Sequence, residues 1–212
     1  MSRWTVSVSS GDDTLVVGQL FTHQRRERMS SSFRYEPGWL AAPQAYALEP
    51  AMSLSAGDYA VSRGLPRSIR DAAPDRWGRN LIEKRLRAQW AAAGDFPRRV
   101  TELDYLLGVS DHTRQGALRF SLADGPFLAE GQEIPKLVAL PKLLAASRRV
   151  AMNNLSGDAG GAVIQTDGAA AMAAVKTLLD AGTASLGGAR PKAALEIDGH
   201  LFIAKFPHPA DR

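Results

Sequence analysis

The dipeptide Asp198-Gly199, set between the apolar stretches Ala193–Ile197 and Leu201–Ala204, constrains this chain more than any other feature of its sequence. A two-residue type I′ turn needs positive φ at both central positions, and Asp-Gly is among the pairs that accept this at least cost. The turn fixes the register of the two strands it joins. Ile197 then faces His200, Leu195 faces Phe202, and Lys192 faces Lys205. The last pair is physically odd. Two lysines directly opposite on one sheet face repel each other, unless an anion lies against them.

Immediately upstream is Ser185-Leu186-Gly187-Gly188-Ala189-Arg190-Pro191. Glycines let backbone N–H groups approach a ligand closely and tolerate unusual dihedrals. A Gly-rich loop followed by two lysines on one face makes a phosphate cradle, with lysine as the point charge. The plainer reading is a Gly-rich turn entering a hairpin that carries two solvent-exposed lysines. Spacing alone leaves both open. The segment matches neither the P-loop pattern G-x-x-x-x-G-K-[ST] nor the kinase pattern G-x-G-x-x-G.

Upstream of this region, Trp4, Val6 and Val8 alternate with polar residues, Gly11-Asp12-Asp13 turns the chain, and Leu15 to Leu20 returns. Ser31 to Tyr35 is a further strand closed by Pro37-Gly38, so the first fifty residues predict a small antiparallel sheet or partial barrel. Pro74 suits a first helical turn and Asp75 the positive end of a helix dipole. Ile82, Leu86 and Trp90 follow as one apolar stripe on a helix ended near Gly94. Thr101 is placed to cap a short helix to Leu107, and Gly116 to Phe120 reads as a strand. Helices are expected over Lys136 to Val150 and Gly168 to Ala181, joined by a mobile Gly-rich connection, Asn153 to Gly161.

Charge is unevenly spread. The 212 residues carry a formal net charge of +4, yet Ala60 to Val100 alone holds ten basic and four acidic residues. Its helix carries Arg76, Arg79, Lys84, Arg85 and Arg87, which read either as a solvated face or as a docking face for an acidic partner or nucleic acid. With no cysteine, disulfides, thiolate metal sites and cysteine nucleophiles are excluded. His23, His112, His200 and His208 are scattered, with no helical pair, and no metal site is expected. Ser110-Asp111-His112 lacks a G-x-S-x-G elbow. Asp104, Asp111, Asp158, Asp167, Asp180 and Asp198 read as caps and turns. Trp77 and Trp90 read as core. No run is long and apolar enough for a membrane span and no signal peptide opens the chain, so a cytoplasmic protein without membrane contact is expected.

Three stretches together resemble the HipA family, the toxin serine/threonine kinases of bacterial toxin–antitoxin systems. They are Asp71 to Lys84 (DAAPDRWGRNLIEK), Thr101 to Phe120 (TELDYLLGVSDHTRQGALRF) and Ser185 to Pro207, in family order. The resemblance implies ATP and Mg²⁺ as cofactors of the full-length protein, neither expected to be bound tightly by this chain alone, and transfer of the γ-phosphoryl group to a protein serine or threonine, such as one on an aminoacyl-tRNA synthetase. It implies restraint by a helix-turn-helix, HipB-like antitoxin, through which contact with DNA and transcriptional autoregulation would be indirect. Ser185 matches the serine whose autophosphorylation ejects the loop. Leu186, Gly187, Gly188, Ala189, Arg190 and Lys192 match the loop over the ATP phosphates, and Lys205 matches the lysine that contacts them.

The family continues into a large helical lobe that carries the catalytic and Mg²⁺-binding aspartates, whereas this sequence stops at Arg212. No catalytic residue is therefore expected in the chain, and as a fragment it is expected to be inactive. The alternative is a non-catalytic binding module that docks an antitoxin or takes part in transcriptional autoregulation. The expected fold class is α+β. A β-rich N-terminal part over residues 1–108 would precede most of a kinase-like N-lobe over residues 109–212, ending in the hairpin.

Overall fold

The computed structural model describes residues 1–10, 13–25, 28–111, 113–128, 139–158, 168–180, 188, 190–198 and 200–207. Among these residues seven strands and six helices follow in the order β1 (Ser2–Ser10), β2 (Asp13–Arg25), β3 (Arg28–Tyr35), α1 (Pro37–Leu40), β4 (Asp58–Val61), α2 (Arg67–Arg70), α3 (Arg76–Ala93), α4 (Glu102–Leu107), β5 (Leu118–Leu122), α5 (Leu140–Asp158), α6 (Gly168–Asp180), β6 (Lys192–Ile197) and β7 (His200–Lys205). The fold is α+β, as the sequence predicts. It divides into two units, residues 1–73 with 98–130, and residues 74–97 with 131–212. The units interleave along the chain, whereas the expected division was a single cut after residue 108.

The first unit is built on a five-stranded antiparallel sheet in the order β4-β3-β2-β1-β5. Alternation puts Met29, Ser31, Phe33 and Tyr35 of β3 on the buried face. Register then lines up Tyr59, Phe33, Leu20, Trp4 and Leu122 across all five strands, and beside them Tyr35, Gly18, Val6 and Phe120. Phe33, Leu20, Val6 and Phe120 are fully buried. The ring of Phe33 lies where a side chain at Gly18 would stand, and a Cβ there would also strike the Arg34 carbonyl. Glycine at position 18 is thus a packing requirement. A bulge between Val6 and Ser7 shifts the β1–β2 register, and Val6 and Ser7 are both buried although they point to opposite faces.

Helix α4 begins as expected at Thr101. Its Oγ1 accepts the Asp104 N–H and the Asp104 carboxylate accepts the Thr101 N–H, a reciprocal capping box. Several expectations change. Pro37-Gly38 starts the one-turn helix α1 instead of merely closing a strand, and β4 was not foreseen. Pro74 precedes the N-cap of α3 and lies outside its first turn. Helix α5 starts at Leu140 with Pro141 in its first turn, a place that needs no amide proton. Its backbone continues to Asp158, so Asn153 to Asp158 is helix and not a connection; residues 159–167 lie outside the described residues.

Asp111, expected as a turn residue, is a buried structural carboxylate. One oxygen accepts Arg114 Nε at 2.5 Å and the other accepts the Phe120 N–H at 3.0 Å. The remaining Arg114 donors reach the carbonyls of Ala72, Leu106 and Val109 at 2.9, 3.0 and 3.0 Å. Its guanidinium lies 4.8 Å from the centre of the Phe120 ring. Burial pulls the Arg114 pKa down, opposed by the charge and hydrogen bond of Asp111. The pair thus ties the end of α4, the segment before α3 and strand β5 into one unit.

In the second unit α3 and α5 pack on α6, and β6 packs on α5. Among the described residues β6 and β7 form a two-stranded antiparallel sheet.

Candidate functional site

The β6–β7 register is the one the turn dictates: Ile197 opposes His200, Leu195 opposes Phe202, and Lys192 opposes Lys205. Asp198 has φ 51°, as the first central position of a type I′ turn requires. Directly opposed residues point to the same face, so the two lysines share one. They are not equally placed. Lys192 is buried, at 7% exposure, while Lys205 lies at the surface. The plainer reading of two solvent-exposed lysines therefore holds only for Lys205.

Burial lowers the pKa of Lys192; the charge of Asp75 opposes that shift and the charge of Lys205 adds to it. The ammonium of Lys192 sits against Gly188. A Cβ at Gly188 would stand 2.8 Å from Lys192 Nζ, and the residue's φ of +94° is one that glycine adopts without strain. Here the backbone approaches a cation as closely as only glycine permits.

Sequence reasoning missed the third participant. Asp75 takes the N-cap position of α3, with extended backbone, but its side chain makes no capping bond to its own helix. Its carboxylate instead accepts the N–H of Gly188, 113 residues away in sequence. Trp77 N–H donates to the Gly188 carbonyl at 3.3 Å. Both backbone groups of Gly188 are therefore tied to the start of α3. The Asp75 signal in the sequence was its cap position, and nothing in local spacing could have pointed to Gly188.

Of the other expected residues, Arg190 is exposed, and Ser185, Leu186, Gly187 and Ala189 lie outside the described residues. The five basic residues of α3 do not share one solvent face. Arg76 and Arg87 are exposed, the latter paired with Glu83 at 2.5 Å. Arg79 donates Nε to the Pro74 carbonyl at 2.8 Å, at the start of its own helix. Lys84 is partly buried, which lowers its pKa against the opposing charge of Glu83. Arg85 departs furthest from the expectation. It lies one turn beyond Leu81 and two beyond Trp77, on the packed side, and burial lowers its pKa while Asp180 of α6 opposes the shift. The buried stripe of α3 is Trp77, Gly78, Leu81 and Ile82, with Leu86 and Trp90 only partly covered.

Among the described residues no group of three His, Cys, Asp or Glu side chains is placed to hold a metal ion, and no helix is long and apolar enough to cross a membrane. No curated protein matches the chain. The profile of the HipA N-terminal domain matches residues 12–121, more than half of the sequence. That match covers strands β2 to β4, nearly all of β5, helices α3 and α4 and the Asp111–Arg114 pair, with β1 lying before it, and by it the chain belongs to the HipA family, in a toxin–antitoxin setting.

Proposed function

We propose that the chain supplies the phosphate-binding part of a HipA-like kinase that transfers the γ-phosphoryl group of ATP to a protein serine or threonine under the restraint of an antitoxin. The observation that carries this reading is Lys192 opposed to Lys205 with Gly188 closed against the Lys192 ammonium. A phosphate oxygen needs a backbone N–H donor and a cation within hydrogen-bond reach, and Gly188, whose N–H now donates to Asp75, and Lys192 bring one of each together. Lys205, exposed at the end of β7, offers the second cation to the same face. Phosphoryl transfer depends on positioning and charge neutralisation, so such a cradle is a functional part even where it forms no covalent bond. When bound, Mg²⁺ supplies further neutralisation of the β- and γ-phosphates. No residue of the chain is assigned to it.

A titration of the purified chain with a fluorescent ATP analogue tests the reading. Wild type is expected to bind, and Lys205→Ala is expected to weaken binding by about tenfold, the equivalent of one lost charge contact. Equal binding by the two proteins, or binding by neither, would remove the phosphate cradle and leave the non-catalytic docking module in its place.

A further inference from the structure

We propose that Asp75 is a latch on this site: its carboxylate holds the Gly188 N–H beside Lys192 until a multiply charged phosphate ligand displaces it. The inference rests on the reading of Lys192 and Lys205 as a phosphate site and adds a residue that competes with the ligand for it. A carboxylate oxygen and a phosphate oxygen are alternative acceptors for one N–H and alternative partners for one ammonium. Asp75 already accepts from Gly188, and its charge already acts on Lys192. Its side chain has no capping bond within α3 to return to. Asp75 and Gly188 are both exposed, so a dissolved anion reaches their bond from solvent.

The selectivity follows from charge. A singly charged anion that replaces Asp75 exchanges one negative partner for another and gains little. A di- or triphosphate brings further charge, which extends to the exposed Lys205 on the same face. The ligand class is therefore a linear polyphosphate, free or as the tail of a nucleotide. The carboxylate competes with every anion for the Gly188 N–H, so removing its charge should strengthen binding of simple anions and polyphosphates alike.

Calorimetric titration of the full chain with inorganic triphosphate and, separately, with orthophosphate tests this in wild type, Asp75→Asn and Lys205→Ala. Asparagine keeps an oxygen for the Gly188 N–H and removes only the charge. Asp75→Asn is expected to bind triphosphate about fivefold more tightly, the effect of one unit charge a few ångströms away. Its affinity for orthophosphate should rise by a similar factor, because the carboxylate competes with both ligands, while the preference for triphosphate should stay with Lys205. If Lys205→Ala weakens triphosphate binding while Asp75→Asn leaves it unchanged or weaker, the latch is wrong and the phosphate site stands. If wild type and Lys205→Ala bind alike, or neither binds, the site itself is wrong and the latch falls with it. A readout on wild type alone guards against a variant that fails to fold. With ¹⁵N-glycine labelling, the Gly188 amide resonance should move as triphosphate saturates, and a stationary resonance at saturation overturns the proposal.

Discussion

Replacing Arg114 with methionine should cost the first unit about 3–5 kcal/mol, the range for removing one member of a buried ion pair. The structure says why the upper part of that range applies. The Arg114 side chain is fully buried and that of Asp111 is 5% exposed. Methionine keeps much of the stem volume but none of the donors. It strands a carboxylate that keeps, among the described residues, only the Phe120 N–H, and it withdraws a donor from the Ala72, Leu106 and Val109 carbonyls. Domains of this size are stable by only about 5–15 kcal/mol, so the loss is a large fraction of the whole. With a urea dependence of about 2 kcal/mol per molar, the midpoint should fall by roughly 1.5–2.5 M. Far-UV circular dichroism during urea titration measures it.

The double variant Asp111→Asn/Arg114→Met isolates the cause. Asparagine still accepts the Phe120 N–H but carries no charge, so the double variant should recover about 1–2 kcal/mol over Arg114→Met alone. A single-variant cost below about 1 kcal/mol, or a double variant no better than the single, would show that the buried pair is not what holds α4, β5 and the Ala72 segment together.

Two further outcomes follow from the charged residues. Hydrogen bonds from Arg98 and Thr101 outweigh burial, which pushes the other way, and hold the Asp104 carboxyl below the usual carboxylate range. A depressed folded-state pKa adds stability above the unfolded value of about 3.9 and loses it as pH falls through the folded value, so wild type and Asp104→Asn should converge in urea midpoint below about pH 4 and differ at neutral pH. Arg76 and Arg87 are exposed three turns apart on one side of α3; if the antitoxin docks there, exchanging both for glutamate should weaken its binding about fivefold or more at low salt with little change in the urea midpoint, and unchanged low-salt affinity would return that side to solvent.

Local chemistry was legible in the sequence where it acts over a few residues. Asp198-Gly199 dictated six cross-strand pairs because the type I′ turn leaves no freedom of register. Thr101 announced the start of α4 because its hydroxyl competes for the orphan N–H of residue 104. Strand β4 was not legible. Asp-Tyr-Ala-Val buries none of its residues fully, and it pairs as an edge against β3. On α3 the triplet Ile82, Leu86 and Trp90 has good helical spacing, but Trp77 and Leu81 lie nearer the axis of burial, and the stripe continues to a cation at Arg85. Hydrophobic periodicity cannot see a packed arginine. The same blindness hid Asp111 and Arg114, whose spacing and polar neighbours imitate a solvated turn.

The candidate site was half legible, and the reason for the missing half bears on its chemistry. Lys192 and Lys205 could be paired because one turn relates them. Asp75 could not be joined to them, because its relation to Gly188 is tertiary. Yet the structure makes one locus of two stretches that sequence comparison could only set side by side, the Asp71–Lys84 stretch and the Ser185–Pro207 stretch, through the Asp75–Gly188 and Trp77–Gly188 bonds within the second unit. Two lysines opposed on a sheet repel each other, and the Asp75 charge acting on Lys192 relieves part of that repulsion. Relief of that kind should be local, partial and displaceable. Asp75 meets all three conditions: it bonds Gly188 directly, it leaves Lys205 in solvent, and it lies exposed itself. Burying Asp75 with Lys192 would add a desolvation cost and close the carboxylate to dissolved anions. Its exposure is what makes exchange for another anion physically accessible.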